Sequence, residues 1–139
     1  MGQTHGVDAI ARERLGLDDT GRLADPDVRN RLAAHLIDAR AFQLTTRRAS
    51  LEANATQGPS AATSIMKYAG AKIAQDRTEL AVEAMGVGGL GWEGGAFAPA
   101  DLATTRAWLR SKANSIEGGT SEVNLNVVSK RVLGLPDPK

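Results

Sequence analysis

The stretch from Asn114 to Pro136 decides the fold and reads Asn-Ser-Ile-Glu-Gly-Gly-Thr-Ser-Glu-Val-Asn-Leu-Asn-Val-Val-Ser-Lys-Arg-Val-Leu-Gly-Leu-Pro. Its two consecutive glycines allow a backbone bend with positive φ, and the threonine that follows them can cap the first turn of a helix. Near the other end, Gly134 and the proline after it supply the signals that end a helix. The stretch therefore predicts a loop that leads into a helix over residues 120–133.

The same stretch also permits a strand. Val123, Leu125 and Val127 alternate with two asparagines, which is the period-2 pattern of a half-buried strand. Against the strand, apolar residues at 125, 128, 132 and 135 form a helical stripe with caps at both ends. We favour the helix and keep the strand as the alternative.

A Gly-Gly-Thr turn at a helix N-terminus is also a place where an anion or a cofactor phosphate can bind to free backbone amides. Most such turns bind nothing, so an ordinary capped turn remains the alternative at this point.

The prolines divide the rest of the chain into helical blocks, because proline is favoured in the first turn of a helix and excluded from its interior. Pro26, Pro59 and Pro99 each stand where a helix would begin. We expect helices at 26–55, 60–85, 101–113 and 120–133. The short break between the first two predicts an antiparallel pair.

Strand signals are weak throughout, so the predicted fold is all-α, an up-and-down helical bundle. Residues 1–24 are interpreted as the end of a helix followed by a connector, and residues 25–139 as the bundle.

Apolar residues recur along the helix predicted at 26–55 in a broad stripe, which predicts a buried face. Because the stripe is wider than one small bundle needs, we also expect self-association. Two aromatic residues, Trp92 and Phe97, are expected to anchor the glycine-rich loop before Pro99. The stripe consists of Ile37, Ala41, Leu44 and Leu51 with Val28, Leu32 and Leu36 beside them, and the buried side of the helix at 101–113 is expected to be Leu102, Trp108 and Leu109.

Composition excludes several classes of function. The 139 residues carry a net charge of +1 and no basic stripe, so nucleic acid and membranes are not expected partners. The absence of cysteine excludes a disulfide framework and a thiolate metal site. Together with the lack of a secretory leader, this predicts a cytoplasmic location.

Three further kinds of functional site are not supported by the sequence around the candidate residues. Residues 86–91 match the Gly-x-Gly-x-x-Gly pattern, but a helix precedes them where a dinucleotide-binding fold needs a strand. His5 and His35 are not at metal-ligand spacing, so no metal site is predicted. No serine lies in a nucleophile turn.

Two motifs at a fitting distance from each other resemble one family. Residues 116–123 read Ile-Glu-Gly-Gly-Thr-Ser-Glu-Val and residues 130–136 read Lys-Arg-Val-Leu-Gly-Leu-Pro, a pair similar to the C-terminal signature of acyl-CoA dehydrogenases. Upstream, residues 88–92 read Gly-Gly-Leu-Gly-Trp and resemble the family's Gly-Gly-x-Gly-aromatic turn. The resemblance spans residues 25–136 and implies the C-terminal helical domain of a larger flavin-dependent enzyme that oxidises acyl-CoA thioesters.

The resemblance implies FAD as the cofactor and acyl-CoA as the substrate of the full-length parent, together with a homo-oligomeric or hetero-oligomeric assembly. Gly88, Gly89 and Gly91 are expected near the adenosine end of FAD, partly that of a neighbouring subunit. Thr120 and Glu122 are expected near its pyrophosphate or ribitol. This chain alone is expected to be inactive. The competing hypothesis is a free-standing helical assembly module without enzyme activity.

The sequence departs from the family pattern at three places. Met85 stands where a glutamine is frequent, and Leu109-Arg110 stands where an Arg-Asp pair is frequent. In many members a glutamate directly before the Gly-Thr pair removes the α-proton of the substrate, but here that position is Gly118 and the glutamate comes one residue earlier. Glu117 is thus the best acidic candidate, and the offset predicts that it is not the sole catalytic base.

Overall fold

The computed structural model describes residues 6–56 and 63–136. They form five helices, and within these two ranges there is no strand, only an isolated bridge between Leu17 and Leu23. The predicted all-α fold is confirmed. The helices are α1 (Val7–Leu15), α2 (Pro26–Thr56), α3 (Thr63–Met85), α4 (Pro99–Ser111) and α5 (Ser121–Val127).

The helix ends follow the local signals in the sequence. The Asp25 carboxylate accepts a hydrogen bond from the Val28 backbone N–H at 3.0 Å, directly before the first-turn proline of α2. Pro99 likewise opens α4. At the other ends, Gly16 after α1 and Gly134 near the C-terminus have φ of 72° and 63°. The predicted start of the second long helix, at residue 60, lies outside the described residues.

The alternative of a strand near residue 125 is wrong. Residues 121–127 are α-helical and continue as a π-helical turn over Val128–Val132. The helix ends just before Gly134, which has positive φ. The backbone N–H of the next residue, Leu135, donates to the Ser129 carbonyl at 3.0 Å, as is typical of a helix C-terminus with a left-handed glycine.

The long helices α2 and α3 pack antiparallel, as predicted. Arg31 Nη2 lies 2.7 Å from Glu83 Oε2 at one end of the pair, and Thr46 Oγ1 lies 3.4 Å from Met66 Sδ at the other. Between them the ring of Phe42 lies against Gly70, where an added Cβ would come within 3.2 Å of the ring. The small residue thus lets the two helices approach closely.

Helix α3 lies at the centre of the molecule, with α1, α2, α4 and α5 packed around it. Seven of the buried apolar residues form two clusters, which are built from α1, the connector after it, α2 and α3. A groove of about 550 Å³ remains between α1, α3 and α4. The clusters consist of Ala11, Leu23, Val28 and Ala84, and of Val7, Leu80 and Ala81.

One prediction of a buried face is wrong, and a second is only partly correct. On α2 the buried residues are Val28, His35 and Ala49, whereas most of the predicted stripe faces solvent. On α4 the fully buried side chains are polar. Of the predicted buried side, Leu102 and Trp108 are half-buried, whereas Leu109 is 46% exposed. In each case, the face of the helix that packs on α3 is the face that fits closely against α3. The exposed α2 residues include Leu36, Ile37, Leu44 and Leu51, and the buried α4 residues are Asp101, Thr105 and Ser111.

None of the helices in the described ranges is long and apolar enough to cross a bilayer.

Candidate functional site

The glycine turn after α3 is a 3-10 helix over Gly86–Leu90. Gly89 packs so tightly that a Cβ atom would lie 2.7 Å from the Val82 carbonyl oxygen. A Cβ atom on Gly91 would overlap the ring of Phe97. Neither glycine has positive φ, so each is needed for close packing rather than for an unusual backbone angle.

The turn is also held to α4. The Thr105 hydroxyl donates to the Gly89 carbonyl at 3.2 Å, and a Cβ atom on Gly88 would lie 3.1 Å from the Asp101 carboxylate. Asp101 is itself only 8% exposed and accepts a 2.6 Å hydrogen bond from Arg14 of α1. The turn is therefore held between α3 and α4, and Asp101 connects α4 to α1.

The outer surface of the turn is apolar and aromatic. Val87 and Leu90 are 77% and 79% exposed, and Trp92 is 53% exposed, so the prediction that Trp92 anchors the loop is wrong. Phe97 is the inner aromatic contact. The Arg106 guanidinium lies 5.3 Å from the centre of the Trp92 ring and donates to the Trp92 carbonyl at 2.8 Å. The sequence pattern gave no signal for Arg106, because the contact crosses from α4 to the loop.

The second glycine site is the loop before α5. Gly118 and Gly119 have φ of 67° and 100°, which confirms the predicted bend with positive φ. The Asn124 side-chain amide donates to the Gly119 carbonyl at 3.0 Å and to the Thr120 carbonyl at 2.9 Å. From α3, the Lys67 ammonium donates to the Asn114 carbonyl. The loop is thus fixed from both sides.

Thr120 is the N-cap of α5, and its hydroxyl accepts the Val123 backbone N–H at 3.4 Å. The Glu122 carboxylate accepts hydrogen bonds from the Glu122 backbone N–H and from the Thr120 side chain. These hydrogen bonds hold the pKa of the Glu122 carboxyl below its usual value. The carboxylate therefore interacts with the donors that an external anion would use at this helix end.

Glu117 lies on the surface just before the two glycines. Its carboxylate forms a 2.8 Å ion pair with Arg110 of α4, and the two side chains are 51% and 63% exposed. In the sequence, Arg110 stands out only as a departure from the family pattern. The spacing of seven residues across a helix end gave no direct signal that the two side chains would meet.

A polar cluster that was not predicted from the sequence connects α3 to the start of this loop. The Gln75 amide donates to the Ser111 carbonyl at 3.1 Å and to the Ser115 hydroxyl at 3.2 Å. One turn further, the Thr78 hydroxyl donates to the buried Ser111 hydroxyl at 3.0 Å. A glutamine and a threonine three residues apart, and therefore on one face of α3, were the available signal.

The two glycine sites do not converge. The loop at Gly118 lies against Lys67 near the start of α3, whereas the other turn follows Met85 at its end. With a rise of 1.5 Å per residue, these two points on α3 are roughly 25 Å apart. Gly88, Gly89 and Gly91 therefore form one site, and Glu117, Thr120 and Glu122 form another.

Comparison with known proteins agrees with both motifs. The family model described as "Acyl-CoA dehydrogenase, C-terminal domain" matches residues 8–133. The chain belongs to the acyl-CoA dehydrogenase family. The family match begins at Asp8 and so includes α1, ahead of the region that carried the resemblance.

Among curated proteins, this acyl-CoA dehydrogenase domain is similar to "Acyl-CoA dehydrogenase IpdE1" of Mycolicibacterium smegmatis (strain ATCC 700084 / mc(2)155). The two are 40% identical over 58 residues, which is 42% of this chain and 14% of that protein. The matched region is thus a small part of the relative. No solved structure gives a significant match to the chain.

Proposed function

We propose that this domain serves a flavin-dependent enzyme that oxidises acyl-CoA thioesters between the α and β carbons. In that reaction a base takes the α-proton, and the flavin, when bound, accepts the β-hydride, leaving an enoyl thioester. The observation that supports the proposal most is the family match over residues 8–133, which includes both glycine sites.

We propose that the turn at Gly88, Gly89 and Gly91 supports the adenosine end of FAD. The surface chemistry suits that group, because Trp92 offers an aromatic face and Arg106 a cation held over it. The glycines contribute by letting the turn pack tightly, so that these side chains are held in place.

We propose that Thr120 and Glu122 contact a ribitol hydroxyl rather than the pyrophosphate. A carboxylate accepts hydrogen bonds and repels phosphate, and the Glu122 carboxyl, whose pKa is already low, stays ionised at neutral pH. Because the two sites are roughly 25 Å apart along α3, we propose that they contact different ends of the cofactor or the FAD of different subunits.

A direct test is flavin retention by the full-length enzyme that carries this domain. Arg106→Ala is expected to lower the flavin content of the purified protein, measured from its absorbance bands. Arg12→Ala removes the same charge from an exposed position on α1 and serves as the control. Equal flavin content in both variants would contradict the proposed contact with the adenosine end of FAD.

We propose that Glu117 is not the sole catalytic base. It is paired with Arg110 on the surface, and a base must come within about 2.6–3.2 Å of the proton that it takes, directly or through one water. Glu117→Gln in the full-length enzyme is expected to lower kcat less than tenfold. General-base catalysis is worth about 10²–10⁴ in rate, so a loss of that size would identify Glu117 as the base.

We further propose that this chain by itself has no dehydrogenase activity and at most weak affinity for flavin, and that it assembles into an oligomer. Turnover of any acyl-CoA by the 139-residue chain would contradict the first point. The alternative function, a helical assembly module without enzyme activity, is favoured if the native full-length protein purifies without flavin. The cytoplasmic location remains a prediction from the cysteine-free composition.

A further inference from the structure

Side chains of α3 bind the carbonyl groups at the end of α4. The last backbone carbonyls of a helix have no partner within it, and side-chain donors can supply one. Helix α4 continues as a 3-10 turn over Lys112–Ser115. Gln75 donates to the Ser111 carbonyl at 3.1 Å, and Lys67 donates to the Asn114 carbonyl. Two side chains of α3 therefore hold the point at which the chain leaves α4.

Lys67 also contacts the glycine loop that follows. Its Cε atom lies 3.3 Å from the position that a Cβ atom on Gly118 would occupy. The lysine stem thus lies beside the first of the two glycines with positive φ, while the ammonium group binds the carbonyl of Asn114. One half-buried side chain therefore contacts both ends of the segment from Asn114 to Gly118.

The charge of Lys67 is directed to this carbonyl rather than to a carboxylate. The ammonium groups of Lys72 and Lys112 lie 2.9 and 3.0 Å from the carboxylates of Asp76 and Glu79. Lys67 has no such ion pair with the residues that the structure describes. A cation interacts favourably with the partial negative charge at a helix C-terminus, so the ammonium group suits the end of α4.

The segment that Lys67 holds leads directly to the residues for which we propose a contact with the cofactor. A misplacement of about 1 Å in a group that orients the reacting atoms can cost about 10²-fold in rate. We propose that Lys67 is a positioning residue of the parent enzyme, which fixes the loop between α4 and α5 and thereby the place of Thr120 and Glu122. This inference rests on the proposed function.

A purely structural role for Lys67 predicts different behaviour. If the side chain only stabilised the bundle, its loss would lower the amount of folded, flavin-loaded enzyme but not the turnover of each loaded molecule. A positioning role predicts a lower kcat per bound flavin with a much smaller change in KM, because the correct geometry of the loop is needed when the substrate reacts.

The first test measures kcat and KM in the full-length enzyme that carries this domain. Lys67→Met retains an unbranched stem but loses the charge and the donors, so kcat per bound flavin should fall at least about tenfold. Lys67→Arg keeps both properties and should retain more of kcat than Lys67→Met. Lys72→Met, at an exposed position of the same helix, is the matched control and should leave kcat unchanged.

The second test measures amide hydrogen exchange by NMR in the 139-residue chain, where no flavin is needed. The backbone N–H groups of Ile116 and Glu117 each donate to the Ala113 carbonyl at 2.9 Å. Exchange at these two amides reports opening of the loop. We expect Lys67→Met to speed their exchange at least about fivefold, and Lys72→Met to leave it unchanged.

The two tests separate this inference from the function on which it rests. A full-length protein that holds no flavin and oxidises no acyl-CoA would overturn the proposed function and the catalytic part of this inference. The exchange rates would still decide whether Lys67 fixes the loop.

In an active enzyme, three results would overturn the positioning role. One is an unchanged kcat in Lys67→Met, and another is an equal loss in Lys67→Met and Lys72→Met. The third is a loss of activity that disappears when the rate is divided by the amount of bound flavin. Unchanged exchange at Ile116 and Glu117 in Lys67→Met would refute the contact between Lys67 and the loop.

Discussion

Replacing Gly89 by alanine tests whether the glycine turn is required for packing in the absence of any cofactor. The new methyl group would lie 2.7 Å from the Val82 carbonyl oxygen and 2.8 Å from Val82 Cγ1. The carbonyl belongs to the last turns of α3 and cannot retreat without disturbing helical hydrogen bonds. The buried Thr105 hydroxyl, which donates to the Gly89 carbonyl, would be disturbed as well.

Overpacking of this kind costs about 1–3 kcal/mol in the free energy of unfolding. Unfolding entropy is about 2.1 cal/mol/K per residue near 60 °C, or about 290 cal/mol/K for a chain of this length, so Tm should fall by about 3–10 °C. Thermal and urea unfolding of the flavin-free chain, followed by circular dichroism, measures both quantities.

Gly95→Ala is the matched control, because nothing lies within 4 Å of the position of its Cβ atom and its φ is not positive. Its stability should be unchanged or should rise by up to about 0.4–1 kcal/mol through the lower entropy of the unfolded chain. If Gly89→Ala unfolds at the same temperature as Gly95→Ala, the turn can move away from α3 and the packing argument is incorrect.

Three further predictions concern buried or capping groups. Burial lowers the pKa of His35, and Asp76, Asp38 and Arg77 are the nearby charges, so the unfolded chain binds more protons than the folded chain and the free energy of unfolding should fall as pH drops below about 6.5. His35→Leu should flatten this pH dependence in urea titrations. An unchanged slope would assign the pH dependence to other groups. Asp101→Asn should lower the free energy of unfolding by about 1–2 kcal/mol, because it weakens the 2.6 Å ion pair between α4 and the partly exposed Arg14 of α1. An unchanged urea midpoint would show that this ion pair does not stabilise the fold. Thr120→Ala should cost about 0.5 kcal/mol, since its cap is long and exposed, and should raise the pKa of Glu122 toward its usual value in an NMR titration; no movement of that pKa would mean that the hydroxyl does not contact the carboxylate.

The sequence alone determined several of the helix ends that the structure describes, because these signals act over a few neighbouring residues. Asp25 and Pro26 start α2 through one hydrogen bond and one fixed φ. Gly118 and Gly119 take positive φ wherever the loop lies in the molecule. The family resemblance rested on the same kind of local motif, and the match over residues 8–133 confirms it.

Only the tertiary structure decided which faces are buried and which site residues meet. Helix α2 has apolar residues on two faces, and the face with Phe42 and Ala49 packs on α3 because a glycine there admits the Phe42 ring. The face with Leu44 stays exposed, although its hydrophobicity alone predicted burial. The contact between Trp92 and Arg106 and the pairing of Glu117 with Arg110 depend in the same way on how α4 lies against its neighbours. The length of α3 holds the two glycine sites roughly 25 Å apart, and no pattern along the chain records that distance.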